Sequence, residues 1–241
     1  MVLDDILVSL FPEGHGISVD NQGLIFGSAP FKAGRANVVG VANKTALGVD
    51  EAIKLSARVL EIVAAGGNDP LIVIIDSDSQ RMSKCDELLG LSEYLSHLAK
   101  SLILADMSGI HTVGLLYGHT AAGAFIATAL ATRTLVALPG AAPEVMDLRS
   151  MARVTKLSLD VLKDKAKTTP VFAPGLDNLA QTGAVHEIWD PTSPLDAQLA
   201  TLLARDAVAG DQRDQLGKAR GGRPKAADIA ARVTDLAAGR G

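Results

Sequence analysis

Gly118-His-Thr-Ala-Ala-Gly-Ala-Phe125 is the stretch of this chain best suited to chemistry. Gly118 and Gly123 bracket a turn where the backbone can approach a ligand closely. A small-residue helix follows, and its first N–H groups lack intrahelical partners. The helix dipole behind them favours negative charge. Backbone donors at Gly118, Ala122 and Gly123 could therefore hold an oxyanion, such as the enolate of a thioester. His119 is the candidate acid for returning a proton to carbon, and Thr120 is a candidate substrate contact. The competing reading is a helix packed tightly on a sheet, with His119 capping it or bonding a neighbouring loop. A phosphate loop does not fit, because Ala124-Phe125 stands where lysine and a metal-binding hydroxyl are required.

Asp76 and Asp78 form the second group of candidates. They follow the apolar run Pro70-Leu-Ile-Val-Ile-Ile75, at the strand end where ligand sites gather in open α/β sheets. The alternative is that these loop aspartates only form a turn. Arg149 and Arg153 could meet a carboxylate or a partner surface, against a default of solvated helix charges. His15, His97, His111 and His186 show no metal-ligand spacing. Neither His-Glu-x-x-His nor Gly-x-Ser-x-Gly occurs, and no metal site is expected.

The elements that must position these residues read as repeated strand–loop–helix units. Met1 to Pro30 looks irregular, and Asn37 to Ala42 reads as a strand. Asp50 to Ala65 has a helical apolar period, with Asp50 as N-cap and Gly66-Gly67 as the stop. The run 70–75 is a strand buried on both faces, followed by a loop over 76–80 and a helix over 87–104. Thr112 to Leu116 and Thr134 to Leu138 are further strands. Helices are expected over 145–153, 157–166, 178–182 and 195–207, with a strand over 185–189. From residue 211 the chain turns basic and flexible in composition, with a last helix over 226–238. Its Gly-Arg-Pro core could be a minor-groove hook; a solvated linker is the plainer reading. Right-handed crossovers would wind such units into a doubly wound sheet or a spiral of ββα units, and periodicity does not choose between them.

Composition sets limits. The 241 residues are 48% hydrophobic but only 3% aromatic, so helices can pack closely on a sheet. Mean hydropathy is +0.24, high enough to imply apolar surface covered by another subunit. A net charge of −4 argues against nucleic-acid binding by the whole chain. Thr112 to Thr132 carries no formal charge over a length that suits a membrane span apart from Arg133 just beyond it. Its histidine, threonines and central glycines favour a buried strand–turn–helix instead, and no membrane partner is expected. Cys85 is the single cysteine, which excludes an intrachain disulfide and points to a reducing compartment. With no signal-like N-terminus, a cytoplasmic location is expected.

The strand 70–77, the helix with Glu87-Leu-Leu-Gly-Leu91, the turn 118–125 and the strand 134–138 come in an order and spacing that resembles the carboxyltransferase branch of the crotonase superfamily. Thr182-Gly-Ala-Val-His-Glu-Ile-Trp-Asp190 resembles the segment closing that domain. Within the branch, Asp76-Ser-Asp-Ser-Gln80 and Tyr117-Gly-His-Thr-Ala-Ala-Gly-Ala-Phe125 are most similar to the gamma subunits of biotin-independent malonate decarboxylase. The resemblance implies an α/β crotonase-like ββα spiral. It implies a domain over 35–210 between an irregular segment, 1–34, and a basic linker with a short helix, 211–241. It also implies a beta-subunit partner sharing the active site, together with an acyl carrier protein subunit and the transferase subunit that loads it. The substrate would be a malonyl thioester on a dephospho-CoA-type arm, converted to the acetyl thioester and carbon dioxide, with no cofactor bound by this chain alone.

Biotin-dependent relatives carry a turn resembling Gly-Glu-Gly-Gly-Ser-Gly-Gly where this chain has Gly118-His-Thr-Ala-Ala-Gly-Ala124. They carry Asp-Thr-Pro-Gly-Ala where this chain has Asp76-Ser-Asp-Ser-Gln80. Two alternatives therefore stand beside the decarboxylase subunit. One is a biotin-dependent carboxyltransferase subunit. The other is a non-catalytic subunit that completes its partner's site.

Overall fold

The computed structural model describes residues 1–205 and 210–239. The chain runs α1 (Leu3–Leu10), β1 (Ser18–Val19), β2 (Leu24–Phe31), β3 (Gly34–Leu47), α2 (Val49–Ala65), β4 (Leu71–Gln80), α3 (Lys84–Leu89) and α4 (Leu91–Met107). It continues through β5 (Thr112–Leu116), β6 (His119–Ala121), α5 (Ala122–Ala127), β7 (Thr134–Ala137), β8 (Ala142–Glu144), α6 (Leu148–Thr155) and α7 (Leu159–Thr168). After a 3-10 turn at Pro170–Phe172 come α8 (Leu176–Gln181), β9 (Glu187–Ile188), α9 (Leu195–Leu203), α10 (Arg213–Ala219) and α11 (Ala226–Ala237).

A seven-stranded sheet in the order β1-β2-β3-β4-β5-β7-β9 forms the centre, and β6 pairs with β8 in a small second sheet. β1, β2 and β3 are antiparallel neighbours, and the strands from β3 to β9 run parallel. β5–β6–α5 and β7–β8–α6 are successive ββα units, which decides for the spiral over the doubly wound sheet. The apolar run in β4 explains the layering. Leu71, Val73 and Ile75 join a core with α2, α4 and α5. Ile72 and Ile74 face the other way, toward α1 and α9. Strict alternation thus buries both faces of one strand.

Several expectations need correction. Residues 1–30 are not irregular. Ile6, Leu7 and Leu10 of α1 are buried, and Leu24, Ile25 and Ala29 place β2 in the core. The loop over 76–80 is an extension of β4, paired with β3 at Thr45–Ser77 and Leu47–Gln80 and tied further by the side-chain bonds described below. The helix over 87–104 is two helices, broken at Gly90, whose φ of +85° is left-handed. α2 is capped at Gly48 rather than Asp50. α9 ends at Leu203, short of the expected end, with Ala204 and Arg205 already outside the helix and 206–207 outside the described residues. The basic tail is not a bare linker, because α10 occupies 213–219. No helix among the described residues is long and apolar enough to cross a membrane.

Candidate functional site

The extension of β4 lies beside β6 and the start of α5; four side-chain bonds tie these together and a fifth reaches β3. Asp76 Oδ1 accepts the His119 N–H at 2.9 Å, and its Oδ2 accepts the Lys44 N–H at 3.3 Å. Ser77 and Thr120 share a hydroxyl–hydroxyl bond of 2.8 Å. The Ser77 carbonyl accepts from His119 Nδ1 at 3.0 Å. Gln80 Oε1 accepts the Gly123 N–H at 2.8 Å.

These bonds explain the residue types in the turn. A Cβ on Gly118 would collide with the Asp76 carboxylate, so glycine is what allows Asp76 to reach the backbone of His119. A Cβ on Gly123 would lie 3.1 Å from both Gln80 Oε1 and Leu95 Cδ1, tighter than an ordinary packing contact. Ala122, between these features, has φ +49°, a left-handed conformation that strains a residue bearing a Cβ.

Gln80 is held from behind. Arg81, next in the chain, donates its N–H to the Leu47 carbonyl at 2.7 Å. Its guanidinium pairs with the buried carboxylates of Glu51 and Asp86. Those carboxylates in turn accept the N–H groups of Gly48 and Val49, each at 2.9 Å. The start of α2 and the end of β4 are thereby one unit. A buried charge is tolerable there only because it is paired and hydrogen-bonded.

The His119 ring has two distinct ends. A carbonyl can only accept, so Nδ1 carries hydrogen toward Ser77. Nε2 faces Glu144 Oε1 at 3.7 Å, with both side chains 27% exposed. Parallel pairing of β6 with β8 sets this approach, with Ala121 opposite Glu144 and His119 opposite Ala142. Burial first, and the Asp76 carboxylate second, push the neighbouring Tyr117 hydroxyl well above its ordinary pKa, so it stays protonated.

The expected residues sort as follows. Gly118, His119, Ala122, Gly123 and Asp76 come together. Thr120 is fully buried with its hydroxyl on Ser77, so it braces the turn instead of facing a substrate. Asp78 is exposed, and its side chain has no hydrogen bond or ion pair among the described residues. The N–H groups of His119 and Gly123 already have acceptors within the chain. Gln80 and Glu144 are functional candidates that the motifs did not single out. Gln80 sat inside a quoted motif, whereas Glu144 lies on a three-residue strand with no motif of its own. Among the described residues no group of three His, Cys, Asp or Glu could hold a metal. A separate cavity of about 390 Å³ lies by the opposite strand ends, lined by His111, Arg133, Thr134, His186 and Arg220 among others. Arg133 there is paired with Asp106, and Arg220 is bound to backbone carbonyls.

The chain is similar to the malonyl-S-ACP:biotin-protein carboxyltransferase MADD of Malonomonas rubra, 26% identical over 196 residues, which cover 73% of this chain and 67% of that protein. Its structure is similar to a chain of a Pseudomonas malonate decarboxylase hetero-tetramer solved with coenzyme A. The TM-score is 0.78 and the identity 25%, with 98% of each chain covered. A Pseudomonas MdcD–MdcE hetero-dimer gives a TM-score of 0.75 at 24% identity, covering 96% of this chain and 97% of that one. The fold likeness reaches transcarboxylase 12S, a carboxyltransferase of the crotonase type, with a TM-score of 0.68 at 14% identity over 87% of this chain and 42% of that one. The family model of the malonate decarboxylase gamma subunit matches residues 42–237, a span that contains β4, the glycine turn and Glu144, and the chain belongs to that family.

Proposed function

We propose that this chain forms, with a beta subunit, the site that decarboxylates a malonyl thioester carried on an acyl carrier protein, giving the acetyl thioester and carbon dioxide. The carrying observation is that one family match spans the whole cross-linked turn of residues 76–80 and 118–123. The relevant partners named for similar proteins are MdcD, in a hetero-dimer with MdcE, and an acyl carrier protein thioester.

The chemistry asks for little beyond positioning. The bond between the carboxylate carbon and the α-carbon breaks, carbon dioxide leaves, and the electron pair spreads onto the thioester oxygen as an enolate. That oxygen needs preorganised donors about 2.7–3.1 Å away. Gln80 Oε1, 2.8 Å from the Gly123 nitrogen, marks where an acceptor oxygen sits at this turn. The thioester oxygen takes that place when Gln80 swings aside. His119 Nε2 is the group of this chain positioned to return a proton to the α-carbon.

Two other readings each have an observation behind them. Transfer of the carboxyl group to biotin is the activity named for the Malonomonas rubra relative. A non-catalytic role is favoured by the internal satisfaction of the His119 and Gly123 N–H groups. The test is carbon dioxide release from a malonyl thioester by the chain alone and copurified with a beta subunit, with and without avidin. Release by the pair only, indifferent to avidin, is the expected result. Avidin-sensitive turnover would shift the assignment to the biotin-dependent reaction. Full turnover in an assembled pair carrying His119→Gln and Gly123→Val would leave this chain a non-catalytic role.

A further inference from the structure

We propose that Glu144 and His119 work as a proton-delivery pair, in which His119 Nε2 protonates the enolate carbon and Glu144 reloads the ring from solvent. The inference rests on the decarboxylase reading and adds to it a residue, Glu144, and a route for the proton.

The geometry assigns each nitrogen one task. Nδ1 donates to the Ser77 carbonyl at 3.0 Å and keeps its hydrogen whether the ring is neutral or charged. Exchange is therefore confined to Nε2, the nitrogen 3.7 Å from Glu144 Oε1. That separation is too long for a direct hydrogen bond and close enough for an ion pair. It leaves the Nε2 hydrogen without a direct acceptor in Glu144, with the carboxylate still beside the ring. Both side chains are 27% exposed, so the pair is neither core nor freely solvated. The Nδ1 bond to Ser77 holds the ring, and Asp76 holds the backbone N–H of the same residue at 2.9 Å.

Of the other carboxylates at this turn, Asp78 is exposed and makes no ion pair with His119, whose ion-pair contact is to Glu144, and Asp76 is committed elsewhere. Asp76, on β4, spends both oxygens on the backbone of His119 and Lys44. The Tyr117 hydroxyl stays protonated beside Asp76. Glu144 is left as the carboxylate facing Nε2. A purely structural ion pair is the alternative, but exposed pairs contribute little. β6 and β8 are already joined by backbone pairing and by the Ala142 N–H donating to the Gly118 carbonyl at 3.0 Å.

The step balances. Cleavage of the carbon–carbon bond leaves the enolate. A C–H bond forms at the α-carbon as the Nε2–H bond breaks, leaving a neutral ring with its Nδ1 hydrogen. Glu144 takes one proton from water and passes it to Nε2, so each turnover consumes one proton.

The test uses the chain assembled with its beta subunit and two readouts. The first is carbon dioxide release from the malonyl thioester. The second is wash-in of deuterium from D2O into the methyl group of the acetyl thioester, which runs the proton step backwards without carbon dioxide. Glu144→Gln is expected to slow both at least about tenfold with little change in KM. Glu144→Asp should restore part of each rate, and His119→Gln should abolish wash-in. Normal wash-in in assembled Glu144→Gln overturns the pair, and so does an unaltered complex that shows no wash-in. Loss of assembly in Glu144→Gln with unimpaired wash-in in the residual complex overturns it in favour of a structural clamp. Wash-in that depends on Glu144 in a complex releasing no carbon dioxide supports the pair and counts against the decarboxylase reading alone.

Discussion

Gln80 and Gly118 show how single side chains shape this turn. The amide oxygen of Gln80 occupies the Gly123 N–H, so any thioester oxygen bound there must displace it. Removing the competitor with Gln80→Ala should lower the KM for the malonyl thioester about two- to tenfold, the worth of one net hydrogen bond. Steady-state kinetics of the assembled complex would read it, and a raised KM would mean that Gln80 instead helps to hold the substrate. Gly118→Ala should be harmful for a different reason. Its Cβ would displace the Asp76 carboxylate from the His119 backbone. Overpacking of this kind costs about 1–3 kcal/mol, and a lowered denaturation midpoint together with slower turnover would confirm it. Glycine spacing made this turn visible in the sequence. What each glycine accommodates was not visible, because Asp76 and Gln80 lie about 40 residues away and strand pairing alone brings them near. Glu144 was hidden more deeply, since β8 is three residues long and contains Pro143, with neither period nor propensity to announce a strand.

At the scale of elements, legibility followed burial. β4, β5 and β7 announced themselves as unbroken apolar runs, and α2 by its helical period. The extension of β4 did not. Asp76-Ser-Asp-Ser-Gln80 has turn composition, but its side chains bond β6 and α5, and tertiary bonds override local preference. β7 carries a consequence for pH. His186 Nδ1 accepts the Leu135 N–H at 3.1 Å, which requires that nitrogen to be unprotonated. Burial first, then Arg213, lowers its pKa. His111, bonded to Thr134 at the start of the same strand, is lowered by burial and then by Arg133. In the unfolded chain both titrate near 6.5. As pH falls through that value the unfolded chain takes up protons that the folded chain refuses. Stability should thus be intact above 6.5 and decline below it, down through the folded values. Urea midpoints followed from about pH 7.5 to 5.5 would show the slope, and His186→Gln, which keeps an acceptor without the titration, should flatten it. An unchanged slope in that variant would place the sensitivity elsewhere.

Across the whole molecule, the two ends of the chain are more firmly built in than composition implied. The Leu195 N–H donates to Ser9 Oγ at 3.0 Å, so α9 closes onto α1 over one face of the sheet. The basic tail closes the other end. Arg220 donates to the carbonyls of Ala180 and Val185, each at 2.7 Å, and to that of His186 at 2.6 Å. This cation ties the end of α8, whose Ala180 carbonyl also accepts the Gly183 N–H, to the segment leading into β9. Gly217 and Gly222 have no Cβ because the backbone at Gln181 and Thr182 lies against them. Such contacts join residues some 40 positions apart, beyond the reach of any local pattern. They turn a Gly-Arg-Pro-Lys stretch that reads as a linker into a docked helical hairpin. Arg220→Ala should therefore release α10 and α11 while leaving the central sheet intact. Limited proteolysis would then cut in the tail well before the remainder, and hydrogen exchange would rise across 213–237 alone. Gly222→Ala should act in the same direction, since its Cβ would strike the Gln181 carbonyl. If both variants resist cleavage like the unaltered chain, the hairpin is held by its helix–helix contacts, and the arginine only decorates the junction.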